Sequence, residues 1–97
     1  MPIVRLIHVK VDPGQTAEAE RIWKENCAPL MISQPGCISE QLLKCLDEPG
    51  EYISYSEWES QADIDRYRDS DDHKQIQSHS RTLQGAQAEV KRYETVG

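Results

Sequence analysis

Between Tyr52 and His73 the chain reads YISYSEWESQADIDRYRDSDDH, and this stretch gathers most of the side chains able to do chemistry. His73 stands foremost. Histidine titrates near neutrality and suits proton transfer. Ile76, Ser80 and Leu83 follow it at helical steps, which places it on the apolar stripe of a helix. The bland alternative is a core histidine held by one hydrogen bond. Trp58 ends a strand pattern and would either floor a flat aromatic substrate or pack against the helices. Tyr67 offers a phenolic donor to a substrate oxygen, or snorkels at the domain edge. Ser80, on the His73 stripe, shares with Tyr67 the expected task of orienting a substrate oxygen. Arg5 is charged on a strand face otherwise made of Ile and Val. It is either a buried anchor for an anionic or phenolate substrate, or a rim residue beside an acidic partner. The cost of an unpaired buried charge favours the rim.

Other groupings point away from metals and cofactors. His79 lies six residues beyond His73, a spacing that turns the two rings to different faces of a helix. Asp63, Asp65, Asp69, Asp71 and Asp72 lack the alternating ligands, central Gly and terminal Glu of a calcium loop, so a solvated, N-capping role is expected. There is no Gly-rich phosphate loop, nucleophile elbow or CxxC. Acid–base chemistry on a substrate that itself supplies the redox equivalents fits this inventory, and no cofactor is expected. Cys27, Cys37 and Cys45 match no zinc spacing and cannot all pair in one chain. On a single regular strand Cys37 and Cys45 would share a face yet lie too far apart for a disulfide, so buried thiols in a reducing cytoplasm are expected.

The elements that must position these groups follow from periodicity. Residues 3–11 alternate as a strand, with Ile3, Arg5, Ile7, Val9 and Val11 on one face and Val4, Leu6, His8 and Lys10 on the other. Asp12, Pro13 and Gly14 form a turn. Ala19, Ile22, Trp23, Asn26, Cys27 and Leu30 then recur at helical steps over residues 15–33, with Pro29 expected to kink the helix or end its regular part early. Trp23 and Ile22 read as core. After the turn at Gln34, Pro35 and Gly36, strands over 37–46 and 51–58 flank the DEPG turn as an antiparallel hairpin. Ser60 and Ser70 are N-cap signals for helices over about 60–69 and 70–83, the first with a partial capping box to Asp63. Gly85 suits a C-cap, and a last strand spans about 86–95.

The order β-α-β-β-α-β, with its second helix broken, defines an α+β fold: a ferredoxin-like, four-stranded antiparallel sheet with helices on one face. Residues 1–97 make one domain. Its other sheet face, carrying His8 and Tyr55, would be bare in a monomer, so a homodimer through the sheet faces is expected. A hydrophobic content of 37%, with two Trp, four Tyr and no Phe, also favours added burial by oligomerisation. The 17 acidic against 11 basic residues give a net charge of −6, which makes nucleic acid and membrane surfaces poor partners. No apolar run follows a basic start and no segment is fit to span a bilayer, so a cytoplasmic protein is expected.

The opening strand into VDPG, the Pro35-Gly36-Cys37 turn, DEPG, SEWES around Trp58 and Ser70-x-x-His73 occur in one order along nearly the whole chain. In this the sequence resembles the antibiotic biosynthesis monooxygenase domain family of the dimeric α/β-barrel superfamily. The resemblance implies a cofactor-independent monooxygenase oxidising a quinol-like or phenolic small molecule with O₂, His73 assisting deprotonation. A non-catalytic dimeric binding or stress module, and isomerase-like acid–base chemistry, are the alternatives within such a fold. Haem-degrading members carry an Asn on the first strand, a Trp on the second helix and a haem-ligating His ten residues later. Ile7, Tyr67 and Gln77 stand at those positions, where they would line a substrate site instead. Gln is a poor iron ligand, which disfavours haem degradation.

Overall fold

The computed structural model describes residues 2–81 and 87–96, the side chains at 80, 81, 87 and 88 excepted. Strand β1 (Ile3–Lys10) leads through a 3₁₀ turn at Pro13–Gln15 into α1 (Thr16–Ile22). A π-helical turn, Trp23–Cys27, joins α1 to α2 (Ala28–Ile32). The hairpin β2 (Cys37–Lys44) and β3 (Glu51–Trp58) follows, then α3 (Gln61–Arg68), α4 (Asp71–Arg81) and β4 (Gln87–Glu94). Gly85 and Leu83 lie outside the described residues. The strands form one antiparallel sheet in the order β2-β3-β1-β4, the ferredoxin-like arrangement that the element order predicts.

The regular α-helix does end early, at Ile22, and α-helical turns resume only in α2, with Pro29 in its first turn. Proline has no N–H to return to the preceding turn. The chain widens just upstream instead, and the Ala28 N–H reaches back five residues to the Trp23 carbonyl. The widened turn carries Trp23 and the buried Cys27.

Along β3, burial alternates strictly, with Tyr52, Ser54, Ser56 and Trp58 buried under the helices. Met31, Trp58, Ile64 and Tyr67 form the core cluster, joined by Ile3, Cys37 and Ile76. Full burial of each such large side chain stabilises by roughly 1.5–3 kcal/mol. On β2 a bulge falls between Cys37, opposite Trp58, and Ser39, opposite Glu57. It reverses the facing of every later residue on that strand. Cys37 and residues of Cys45's parity therefore lie on opposite faces, contrary to the regular-strand expectation. The same bulge turns Glu40 to the helix side, opposite Ser56. All three cysteines are free.

Two glycines fix the turns. Gly36 and Gly50 adopt φ values of 84° and 89°, a region that favours glycine. A Cβ on buried Gly50 would come within 2.2 Å of the Val11 carbonyl oxygen, and Val11 N–H donates to the Gly50 carbonyl at 2.9 Å. The β2–β3 connection is thereby pinned to the end of β1. Gly50→Ala should lower the free energy of unfolding by about 1–3 kcal/mol, read as a reduced urea midpoint with unchanged slope.

Candidate active site

Two serine caps and two adjacent strands, β1 and β3, assemble the site. Ser60 caps α3: its hydroxyl accepts from the Asp63 N–H at 3.2 Å and donates to Asp63 Oδ2 at 2.8 Å. That start carries Ile64 and Tyr67 to the buried face of α3. Ser70 then does two things. Its hydroxyl donates to the Tyr67 carbonyl at 2.5 Å and accepts from the His73 N–H at 3.2 Å. The S-x-x-H motif is thus an N-cap that sets His73 in the first turn of α4, beside Tyr67.

The rings meet in a chain. Trp58 stacks on Tyr67 with centroids 5.2 Å apart and planes at 27°. His73 meets Tyr67 edge-on at 5.0 Å and 80°. The Arg5 guanidinium lies over the Tyr67 ring, 5.8 Å from its centroid, a cation–π distance. Beneath them, the Trp58 indole N–H donates to Ser56 Oγ at 2.9 Å, and that hydroxyl donates to the Arg5 carbonyl at 3.4 Å.

Arg5 departs from expectation. It sits on a central strand, opposite Ser56 on one side and Arg92 on the other, and only 4% of it is exposed. The rim placement is therefore wrong. So is the acidic partner, for among the described residues no carboxylate stands within ion-pair distance of the guanidinium. Arg5 faces inward because every odd residue of β1 does so. Burial lowers its pKa, partly offset by Tyr67 and Glu40.

Other side chains take places that the sequence left open. Trp58 has no exposed surface and stacks on Tyr67. Tyr67 is 2% exposed, a buried ring and not a snorkelling one. Ile7 lies on the Arg5 face of β1, opposite Ser54, and is half-buried. Gln77 is exposed on α4, because the stripe through His73 and Ile76 passes it by. The Ser80 side chain falls outside the described residues.

Three neighbours escaped the sequence reading. Ser54, Ser56 and Glu40 all belong to the buried centre, and Trp23, read as core, borders Glu40. The serines were legible in principle, since they share the parity of Tyr52 and Trp58. Glu40 was not, because only the bulge turns it inward. Its Oε1 accepts from Ser54 Oγ at 3.5 Å, while Oε2 and Trp23 Nε1 are buried without a hydrogen-bond partner. Burial pushes the Glu40 carboxyl up to about 8 against the pull of the Trp23 indole, Ser54 and Arg5. The indole does not meet hydrogen-bond geometry, so it acts as a nearby dipole. Burial also raises the Tyr67 phenol, and holds His73 below its ordinary value with help from Arg5 and Arg68. A neutral imidazole beside a buried cation can accept a proton, and that cation favours an anion nearby. No group of residues fit to hold a metal ion occurs among the described residues, and no helix there is long and apolar enough to cross a membrane.

A ferredoxin-like sheet with an aromatic and charged centre under its helices defines a class of small α+β domains. The model of one family, antibiotic biosynthesis monooxygenase, matches residues 2–79, and the chain belongs to that family. Among solved structures, it is similar to SnoaB, a cofactor-independent oxygenase from Streptomyces nogalater. The identity is 18%, over 99% of this chain and 94% of that one, with a TM-score of 0.85. A Bordetella bronchiseptica protein is 21% identical over 98% of this chain and 97% of its own, with a TM-score of 0.87. A conserved protein from Methanosarcina mazei is 21% identical over 99% and 95%, with a TM-score of 0.82. Identities this low speak for the fold alone. No curated protein matches the chain.

The electrostatics predict a stability profile. Glu40 binds its proton more tightly folded than unfolded, so its contribution is full below its ordinary value of 4.5 and is lost as pH climbs through about 8. His73, depressed when folded, works oppositely, but only below its ordinary 6.5. Between these limits Glu40 acts without that opposition. Urea unfolding from pH 6.5 to 8 should show stability falling with a slope of no more than about 1.4 kcal/mol per pH unit. Glu40→Gln should flatten it.

Proposed function

We propose that this domain is a cofactor-independent monooxygenase that oxidises a quinol-like or phenolic small molecule with O₂. The observation that carries this reading is the buried Arg5, without a carboxylate partner, beside the Tyr67–His73 ring pair. An isolated buried cation is costly unless something anionic shares its site. A phenolate is such a group, and it is also the electron-rich form that reacts with O₂.

His73 accepts the phenolic proton, and the electron pair left on oxygen delocalises to a ring carbon. Arg5, reinforced by Arg68, favours the anion. The ring carbon bonds to one atom of O₂, and the peroxide then loses its terminal oxygen as water. A phenol plus O₂ thus gives a quinone plus water, the substrate supplying all the electrons. Tyr67 lies against both Arg5 and His73 and lines the reaction space, while Trp58 and Ser56 fix it from below. Ile7 adds an apolar wall that helps keep water from the peroxide. Three free thiols fit a reducing cytoplasm.

We also read the bare sheet face as the contact between two copies of the chain. Val4, Leu6, Ile53, Tyr55, Leu43 and Tyr93 carry its apolar surface, and Leu43 and Tyr93 are 43% and 46% exposed. Apolar surface gathered on one face is what an obligate dimer buries. Sedimentation should give a dimer, and Tyr55→Glu should yield monomers. A monomeric wild-type protein at micromolar concentration would defeat this assignment.

Oxygen uptake with a panel of reduced quinols and polyphenols tests the activity. The wild-type protein should exceed the protein-free rate, and His73→Ala should lose on the order of a hundredfold or more. Uptake no faster than autoxidation, or full activity in His73→Ala, overturns the proposed reaction. Turnover that persists without oxygen would mark isomerase-like chemistry instead.

A further inference from the structure

Burial on the helix side of the sheet fades from β3 to β4. Ser56 and Trp58 of β3 have no exposed surface, and Arg5 of β1 is 4% exposed. On β4 the residues of that same face are Val90, opposite Ile7, and Arg92, opposite Arg5. Both stand open: Val90 is 50% exposed, and Arg92 is exposed as well. Beside the buried centre, then, runs an uncovered strip with an apolar side chain and a guanidinium on its floor. Helix α3 holds that guanidinium in place. Arg92 Nη1 donates to Gln61 Oε1, and the Gln61 amide nitrogen donates in turn to Asp65 Oδ1 at 2.9 Å.

An exposed arginine is ordinarily solvated and needs no ligand. The placement of Arg92 sets it apart. Like charges directly opposite on neighbouring strands are destabilising, and the register puts Arg92 beside Arg5. Nothing acidic relieves the pair. Arg21 and Arg66 pair with nearby carboxylates. Arg5, Arg68 and Arg92 have none within ion-pair distance among the described residues, Glu94 of the same β4 face included. Such a group of unpaired cations stands out in a chain with 17 acidic residues. Arg68 also lies near enough to act on both Arg5 and His73. Cations gathered at one opening fit a ligand that brings the missing negative charge. With one N–H engaged by Gln61, the Arg92 guanidinium keeps further donors in a planar fork, and that fork matches a carboxylate. We propose that Arg92 recognises a carboxylate carried by the aromatic ligand, so that the substrate is a phenolic or quinol-like aromatic acid entering along β4. This rests on the phenolic reading of the site and adds the substrate's second polar group. Val90 and Ile7, paired across the two strands, offer the ring an apolar floor, and Arg5 adds its charge from the next place in the row.

Equilibrium binding under argon at low ionic strength tests the proposal without requiring oxidation. The probes are 6-hydroxy-2-naphthoate and its methyl ester, which share ring and hydroxyl and differ in charge. The wild-type protein, as purified, should bind the acid about fivefold or more tightly. That preference should shrink as added salt screens the open guanidinium. Arg92→Gln should bring acid and ester to within about twofold, by weakening the acid alone. Arg92→Lys keeps the charge but loses the fork, and should retain part of the preference. Arg66→Gln removes an equal charge from α3 and should leave the preference intact, as should His73→Ala. Equal binding of both probes by the wild type, tighter binding of the ester, or binding of neither overturns the proposal. So does a preference unchanged in Arg92→Gln, or one lost as fully in Arg66→Gln. Oxygen uptake no faster than autoxidation, with the preference present, counts against the oxygenase reading alone. Uptake with neutral quinols and no preference for the acid counts against the Arg92 site alone.

Discussion

A positive charge held under the helices on a central strand is the constraint around which this domain is organised. Arg5 has 4% of its surface exposed and no carboxylate within ion-pair distance among the described residues. What surrounds it compensates in small parts. The face of Tyr67 lies near the guanidinium, Glu40 acts through space from the neighbouring row, and the Ser56 hydroxyl holds the strand beneath. None of these neutralises the charge at contact. Burial and this charge together lower the proton affinity of His73, and the charge is held at some expense of stability.

Local chemistry sets the geometry around that charge. Ser60 and Ser70 are hydrogen-bonding punctuation, but each also determines a helical phase. The first puts Tyr67 against Trp58; the second, by gripping the Tyr67 carbonyl and the His73 N–H together, makes the two rings neighbours. Trp58 contributes from below, with its N–H committed to Ser56 and its face to Tyr67. On the opposite side, the widened turn before Pro29 aims Trp23 toward Glu40. The polar atoms left unpaired there are a consequence of backbone geometry, not of composition.

Sequence periodicity resolves well where a strand or helix is regular. The alternation in IVRLIHVKV puts Arg5, Ile7 and Val9 on one face, and the two serine caps mark where α3 and α4 begin. It misjudges Arg5 because the cost of an isolated charge argues for the rim, and the rule against burying charges describes stability, not sites. Trp58 reads equally as floor or filler, since burial depth is a property of what packs over it. Gln77 enters through family resemblance alone and stays on the surface, away from the stripe that carries His73.

By itself, then, the order of turns, caps and alternating runs determined the β-α-β-β-α-β plan, the inward face of β1 and the helical setting of His73, because these depend on interactions between residues close in the chain. Tertiary structure alone decided three further things. It set Arg5 on a central strand, it turned Glu40 inward through a one-residue bulge opposite Trp58 and Glu57, and it brought Trp23 near that carboxyl. Strand order, register and the meeting of distant polar atoms arise from packing between elements far apart in sequence, and no local pattern encodes them.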